Sequence, residues 1–412
     1  MPPSEQRILI IFLLSYTALA AGHLFSFKIN RTGIALLGAI LMVALGGFDP
    51  HEALLSVNFT TLITLYGLMI LSGQLWLSGF YTWTAQKISL ALDRPKAFLL
   101  LLIAVSGLLS AFLINDVVCL AFTPVVTLAV LKKRLNPTPF LMGLALASNI
   151  GAAATPIGNP QNIMVASIAN LHFLPYLIWC LPPVLVSLAA AFLWIWLLGR
   201  KELQLASAPL PQDDDRFPPL NRHETYKGLI LLGAAVALFF TPLPRALVMI
   251  SAAGILLLSH RISSTDLLKR VDYSILTLFT GLFIIVGGLR GTAFPEQALQ
   301  HLKAWGLHFE NPYLLSLVTA LLSDLMSNAA AVMLLAKTLP LQNPVTAYVL
   351  ALANSFAGNF LVIGSIANLI VVEQAAQYGV EIRFRGFAKY GIPVTLFSLA
   401  TLLGWIYLSS YG

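Results

Sequence analysis

The chain has 412 residues, 58% of them hydrophobic and only 10% charged, a composition outside the range of soluble domains. Its formal charge of +7 does not point to nucleic acid, because the basic residues sit in short loops between apolar runs and so report membrane topology. Cys119 and Cys180 both lie inside apolar runs, which excludes a disulfide framework and offers no metal-ligand spacing.

In chain order, apolar runs predict helices over 8–26, 32–47 and 59–80, a hairpin over 97–132, a broken helix over 139–170 and a helix over 174–198. Residues 200–227, with Pro209, Pro211, Pro218, Pro219 and Asp213-Asp214-Asp215, have the composition of a solvated linker. The order then repeats: helices over 228–240, 246–259 and 273–290, a hairpin over 313–339, a broken helix over 345–377 and a helix over 390–409. Arg7, the run Ile8 to Tyr16 and Ala18-Leu19-Ala20 have the layout of a cleavable signal peptide. The repeat argues for retention: Arg31 to Gly73 aligns without a gap on Arg245 to Gly287, and the helix before Arg245 needs a counterpart before Arg31.

The fold class expected is therefore an all-α polytopic membrane protein of two repeats, 1–199 and 228–412, each with about five spans, one re-entrant hairpin and one broken helix. An odd number of spans per repeat inverts the second relative to the first. Nineteen of the 24 basic residues then fall on one side, placing that side and the linker in the cytoplasm and both termini outside. Each hairpin is read as too short for two full spans of about 20 residues.

The broken helices carry the chemistry. The first reads Ser148-Asn149-Ile150, then Thr155-Pro156-Ile157-Gly158-Asn159-Pro160-Gln161-Asn162. The second reads Asn354-Ser355-Phe356, then Gly358-Asn359 and Gly364-Ser365-Ile366-Ala367-Asn368, with Gly158 over Gly364 and Asn162 over Asn368. Amides and helix breakers deep in a membrane protein must face protein or a cavity, and paired broken helices mark the binding sites of secondary transporters. The hairpin turns match as well, Ser110 over Ser323 and Asn115 over Asn328, with Asp116 the intramembrane carboxylate best placed to titrate or hold a cation. Asp324 lies where the first hairpin has Ala111. No Lys or Arg falls within these motifs, so an anion is expected to be held by helix dipoles and amides. Glu373 is read as interfacial, and His51-Glu52, without a second histidine, as loop.

Asn115-Asp116, Ser148-Asn149, the Thr155 to Asn162 stretch, Ser327-Asn328-Ala329, Gly358-Asn359 and Gly364 to Asn368 resemble the ion transporter superfamily of arsenite permeases, sodium/proton antiporters and divalent-anion/sodium symporters. The likeness covers nearly the whole chain and is closest to the anion permease branch. Where the symporters use a Ser-Asn-Thr triplet, this chain has Ser148-Asn149-Ile150 and Asn354-Ser355-Phe356. The resemblance implies a permease working by elevator-like alternating access, with the first helices of each half as scaffold, and a homodimer joined through that scaffold. It implies substrate contacts at Ser148, Asn149, Thr155, Gly158, Asn159, Gln161, Asn162, Asn328, Asn359, Gly364, Ser365 and Asn368, and coupling-ion contacts at Asn115, Asp116, Asn354 and Ser355. The cargo expected is a small inorganic or organic anion or oxyacid, with sodium or proton as coupling ion and no resident cofactor. A sodium/proton antiporter and an arsenite or antimonite efflux permease stand as alternatives, and the bacterial inner membrane as the expected location. The chain has no motif of a zinc protease, a Gly-x-Ser-x-Gly hydrolase or a phosphate-binding loop, so an enzyme or a primary pump is not expected.

Overall fold

The computed structural model describes residues 3–21, 29–200, 217–339 and 341–410, and these are helical, without a strand among them. The first ten helices are α1 (Pro3–Ala21), α2 (Arg31–Ala44), α3 (Pro50–Ser56), α4 (Phe59–Leu77), α5 (Phe80–Ser89), α6 (Pro95–Phe112), α7 (Asn115–Lys132), α8 (Thr138–Ala152), α9 (Pro160–Ile168) and α10 (Phe173–Gly199). The next ten repeat them: α11 (Arg222–Leu238), α12 (Arg245–Leu257), α13 (Ser264–Leu268), α14 (Tyr273–Arg290), α15 (Phe294–Ala304), α16 (Pro312–Met326), α17 (Asn328–Thr338), α18 (Pro344–Ala357), α19 (Ile366–Ala376) and α20 (Phe384–Ser410).

Helix starts follow local chemistry. Asn30, Asn58, Asn221 and Asp272 each accept a hydrogen bond from a backbone N–H in the first turn that follows, and Pro stands in the first turn of α6, α8, α9, α16 and α18. Among the described residues, α4, α6, α7, α10, α14 and α20 are long and apolar enough to cross a membrane.

Four short helices were not expected: α3, α5, α13 and α15. A search for apolar runs passes over them, since α15, for example, carries Glu296 and Lys303 and buries none of its residues. His51-Glu52 accordingly lies in α3, not in a loop, with Asp49 accepting from both backbone N–H groups. The linker is shorter than 200–227, because α11 begins at Arg222, and its residues 201–216, including Pro209, Pro211 and Asp213 to Asp215, lie outside the described residues. The first helix ends at Ala21, and the expected continuation beyond it likewise falls outside them. The first hairpin is longer than read: α6 and α7 have 18 residues each, about 27 Å at 1.5 Å per residue, so length does not exclude full crossings.

Packing repeats as the sequence does. α2 runs along α14 and α4 along α12, so each contact becomes the other when the halves are exchanged; α6 on α8 likewise matches α16 on α18, and α10 packs on its own counterpart α20. Between α6 and α8 the backbones nearly touch, since a Cβ at Gly151 would lie 2.2 Å from the Gly107 carbonyl oxygen. α1 packs on α2, α14 and α16, and Tyr16 donates to the Ala330 carbonyl, so it is an integral part of the bundle. Exchange is not complete: α5 packs on α6 and α7 whereas α15 makes no comparable contact with α16 or α17, α1 packs on α16 whereas α11 makes none comparable with α6, and α9 lies along α4 whereas α19 makes no comparable contact with α14.

Candidate functional site

Both broken helices are repaired by the same device. Pro156 and Pro160 remove backbone donors after α8, and the carbonyls at its end lose their helical partners. Asn162, two residues into α9, returns its amide to them: Nδ2 donates to Ala152 O at 3.0 Å and to Thr155 O at 3.1 Å. In the second half Asn368 Nδ2 donates to Gly358 O at 2.7 Å and to Leu361 O at 3.3 Å, the matching carbonyls. Asn159 and Ser365 cap the half-helices that follow, accepting from Asn162 N and Ala367 N. Gly158 is required by close approach, because a Cβ there would lie 2.2 Å from Ala152 O.

The two breaks are then stitched to each other. Asn149, near the end of α8, donates from Nδ2 to Asn359 Oδ1 at 2.8 Å and to Asn368 Oδ1 at 3.0 Å, and accepts from Ser365 Oγ at 3.0 Å. Its counterpart Ser355 accepts from Asn159 Nδ2 at 3.0 Å and donates to Asn162 Oδ1 at 3.4 Å. Hairpins join by equivalent bonds: Ser110 Oγ lies 3.0 Å from Ser148 Oγ, and Ser323 Oγ donates to Asn354 Oδ1 at 2.8 Å. Asn115 Nδ2 adds a bond to Asn149 Oδ1 at 3.0 Å, and Thr155 Oγ1 donates to the Ala111 carbonyl.

At the centre lies a cavity of about 50 Å³. Of the residues expected to bind, Asn115, Asp116, Asn149, Asn159, Gln161, Asn328, Ser355, Gly364 and Ser365 line it. Ser148, Thr155, Gly158, Asn162, Asn354, Asn359 and Asn368 stand behind that wall, buried and holding the frame. The first turns of α7, α9, α17 and α19 all open on the cavity, so four positive dipole ends converge there. Ile275, Leu278 and Phe279 of α14 close it with an apolar wall. Several buried polar atoms at or beside it have no partner, namely Asn115 Oδ1, Asn328 Oδ1, Asn354 Nδ2 and Asp324 Oδ1. Asp324 is half-buried and directed at the Gly364 backbone. Glu373 is exposed near the end of α19.

Arg31 also lines the cavity, which corrects the expectation of a site without a basic side chain. Its Nη1 donates to Ile363 O, inside the second break, at 3.5 Å. Sequence reading placed it among loop charges because it belongs to no polar motif; the signal was its alignment with Arg245, a second arginine opening the same helix of the other half. On the far side, Arg245 Nη2 donates to Ala166 O at 2.8 Å and Ser167 Oγ to Asn58 Oδ1 at 3.1 Å, joining the end of α9 to α12 and α4.

Comparison with known proteins gives a consistent picture. The profile of a family described as CitMHS, citrate transporter, matches residues 16–340. A 46 kDa membrane protein of Mycobacterium leprae is 31% identical over 97% of this chain and 96% of its own length. A silicon efflux transporter of rice (Oryza sativa subsp. japonica) is 26% identical over 89% of this chain and 90% of its own. In three dimensions, the structure of the Alcanivorax borkumensis YdaH transporter is similar at a TM-score of 0.63 and 14% identity, over 99% of this chain and 98% of that one. That last likeness concerns the fold alone.

Proposed function

We propose that this chain, which belongs to the CitMHS citrate transporter family of the ion transporter superfamily and is therefore a multi-pass membrane transporter and not an enzyme, is an ion-coupled permease for a small anion or oxyacid. The observation that carries the reading is the convergence of four helix N-termini and Arg31 on one cavity between the two breaks. Fixed dipoles bind weakly and reversibly there without a resident cofactor.

Cavity size narrows the cargo. About 50 Å³ accommodates a few water molecules and is far below the roughly 300 Å³ of ordinary small-molecule clefts. A small oxyacid fits this conformation, whereas a tricarboxylate needs the cavity to open. The rice relative is named for the efflux of silicon, which is compatible with a small cargo. Asn149, Asn159, Gln161, Asn328, Gly364 and Ser365 are assigned to the solute. Asn115, Asp116, Asn354 and Ser355 are assigned to a coupling sodium ion or proton, Asp116 supplying the charge.

The repeated order and the exchange of contacts support two inverted repeats, with α1, α2, α4, α11, α12 and α14 as scaffold and the hairpins, broken helices, α10 and α20 as the moving domain. We place the protein in the inner membrane as a homodimer joined through the scaffold, with the linker cytoplasmic and both termini outside.

Uptake into proteoliposomes of arsenite, silicic acid, phosphate, sulfate and citrate, under separate sodium and pH gradients, tests this. Gradient-driven flux of one solute is expected. Sodium/proton exchange without solute flux would replace the reading with an antiporter.

A further inference from the structure

Arg31 and Arg245 occupy corresponding places, each the first residue of its helix, α2 or α12. Their partners do not correspond. Arg245 holds Ala166 O at the C-terminal end of α9, where a guanidinium meets the negative end of a helix. The residue matching Ala166 is Val372, in the later part of α19, as Gly158 matches Gly364 and Asn162 matches Asn368. Arg31 instead holds Ile363 O, which matches Ile157 in the first break, and lines the cavity. The contact of α9 with α4, which α19 does not make comparably with α14, departs from exchange in the same sense.

A displacement of the broken helices and hairpins along the scaffold, towards the face where α10 ends and α11 begins, would account for these departures together. Exchanging the halves generates a second arrangement with the same kinds of contact. In it Arg31 holds Val372 O, while Arg245 holds Ile157 O and lines the cavity. The two differ by the nine positions from 363 to 372, of which 366 to 372 lie in α19 and alone span roughly 9 Å at 1.5 Å per residue.

We infer that Arg31 and Arg245 are alternating substrate contacts: each access state presents one scaffold guanidinium to the bound solute while the other arginine latches a helix end. This rests on the alternating-access reading above and adds the chemistry of recognition. A guanidinium fork selects a charged oxyanion such as a carboxylate, sulfate or phosphate, because it gives two parallel charge-assisted hydrogen bonds. Leaving the cavity state moves that arginine to a helix carbonyl, so its charge is never stranded in the bilayer. Neither arginine belongs to the polar motifs of the breaks.

The test uses the full chain in proteoliposomes of sorted orientation, with radiolabelled citrate, sulfate and phosphate offered to one face at a time and neutral silicic acid alongside. R31Q is expected to raise the half-saturation of the transported anion about tenfold or more from the α10–α11 face, the worth of a charge-assisted hydrogen bond, and to change it little from the other. R245Q is expected to do the reverse. R31K and R245K, which keep the charge and lose the fork, should fall between. If R31Q does not reach the membrane, R245Q and the two lysine variants decide alone. Equal effects of each variant at both faces, or none, overturn the alternation while leaving the transporter reading intact. Transport of silicic acid alone overturns the anion contact. Absence of flux by the unaltered protein for every probe overturns the reading on which this inference rests, and the inference with it.

Discussion

Asn162 and Asn368, expected to contact substrate, hold the frame of the breaks instead of lining the cavity. Their amides donate to two carbonyls each inside the breaks, so their loss strands buried acceptors at about 1–3 kcal/mol apiece. Asn162→Ala is therefore expected to lower the melting temperature in detergent as well as abolish uptake, and Asn162→Asp to do the same, having lost the donors. A melting temperature unchanged from the parent would mean that the amide serves the solute and not the frame. Asp116 invites the opposite expectation. It lines the cavity in the first turn of α7, and no side-chain cap closes that helix from Ile114. Asp116→Asn should leave the fold standing and change the sodium or pH dependence of uptake; an identical gradient response would remove it from coupling. Polar residues deep in apolar runs were readable because each must be satisfied by protein or cavity. Which of them face the cavity was not readable, since adjacent positions such as Gln161 and Asn162 differ only in the direction their side chains take.

At the scale of elements, the two hairpin turns differ although they align. Ile114 has φ −65° and ψ 122°, open to any residue, whereas Ser327 sits at φ 95° and ψ 146°, a region that strongly favours glycine. Ser327→Gly is expected to relieve roughly 1–3 kcal/mol of strain and raise the melting temperature, and Ile114→Gly to lower it. A fall on Ser327→Gly would mean that the seryl side chain makes a contact worth more than the strain. Apolar length found the spanning helices, although α11 and α20 each begin six residues before the expected start. It passed over α3, α5, α13 and α15, because a short helix with charged residues has no apolar run to detect.

For the whole molecule, the junction on the α9 side makes displacement measurable. Ser167 and Asn58 side chains meet at 3.1 Å between α9, proposed above as part of the moving domain, and the start of α4, proposed as scaffold. Asn58→Cys combined with Ser167→Cys is expected to form a disulfide that arrests uptake and to release it on reduction; uptake unaffected by oxidation, with the bond formed, would mean that α9 does not leave α4 during transport. Cys119 and Cys180 are buried and should not interfere.

Two halves in the same order, a break in each and a polar centre followed from the chain alone, because helix breakers and amides are tolerated in a bilayer only where protein encloses them. The placing of Arg31 at the cavity, the division between lining and framing amides, and the offset that sends two matched arginines to unmatched carbonyls came from packing. Sequence repeats specify which contacts are equivalent. Two equivalent contacts cannot both be made when one rigid set of helices has slid along another, and which of the two is made is a property of position in space.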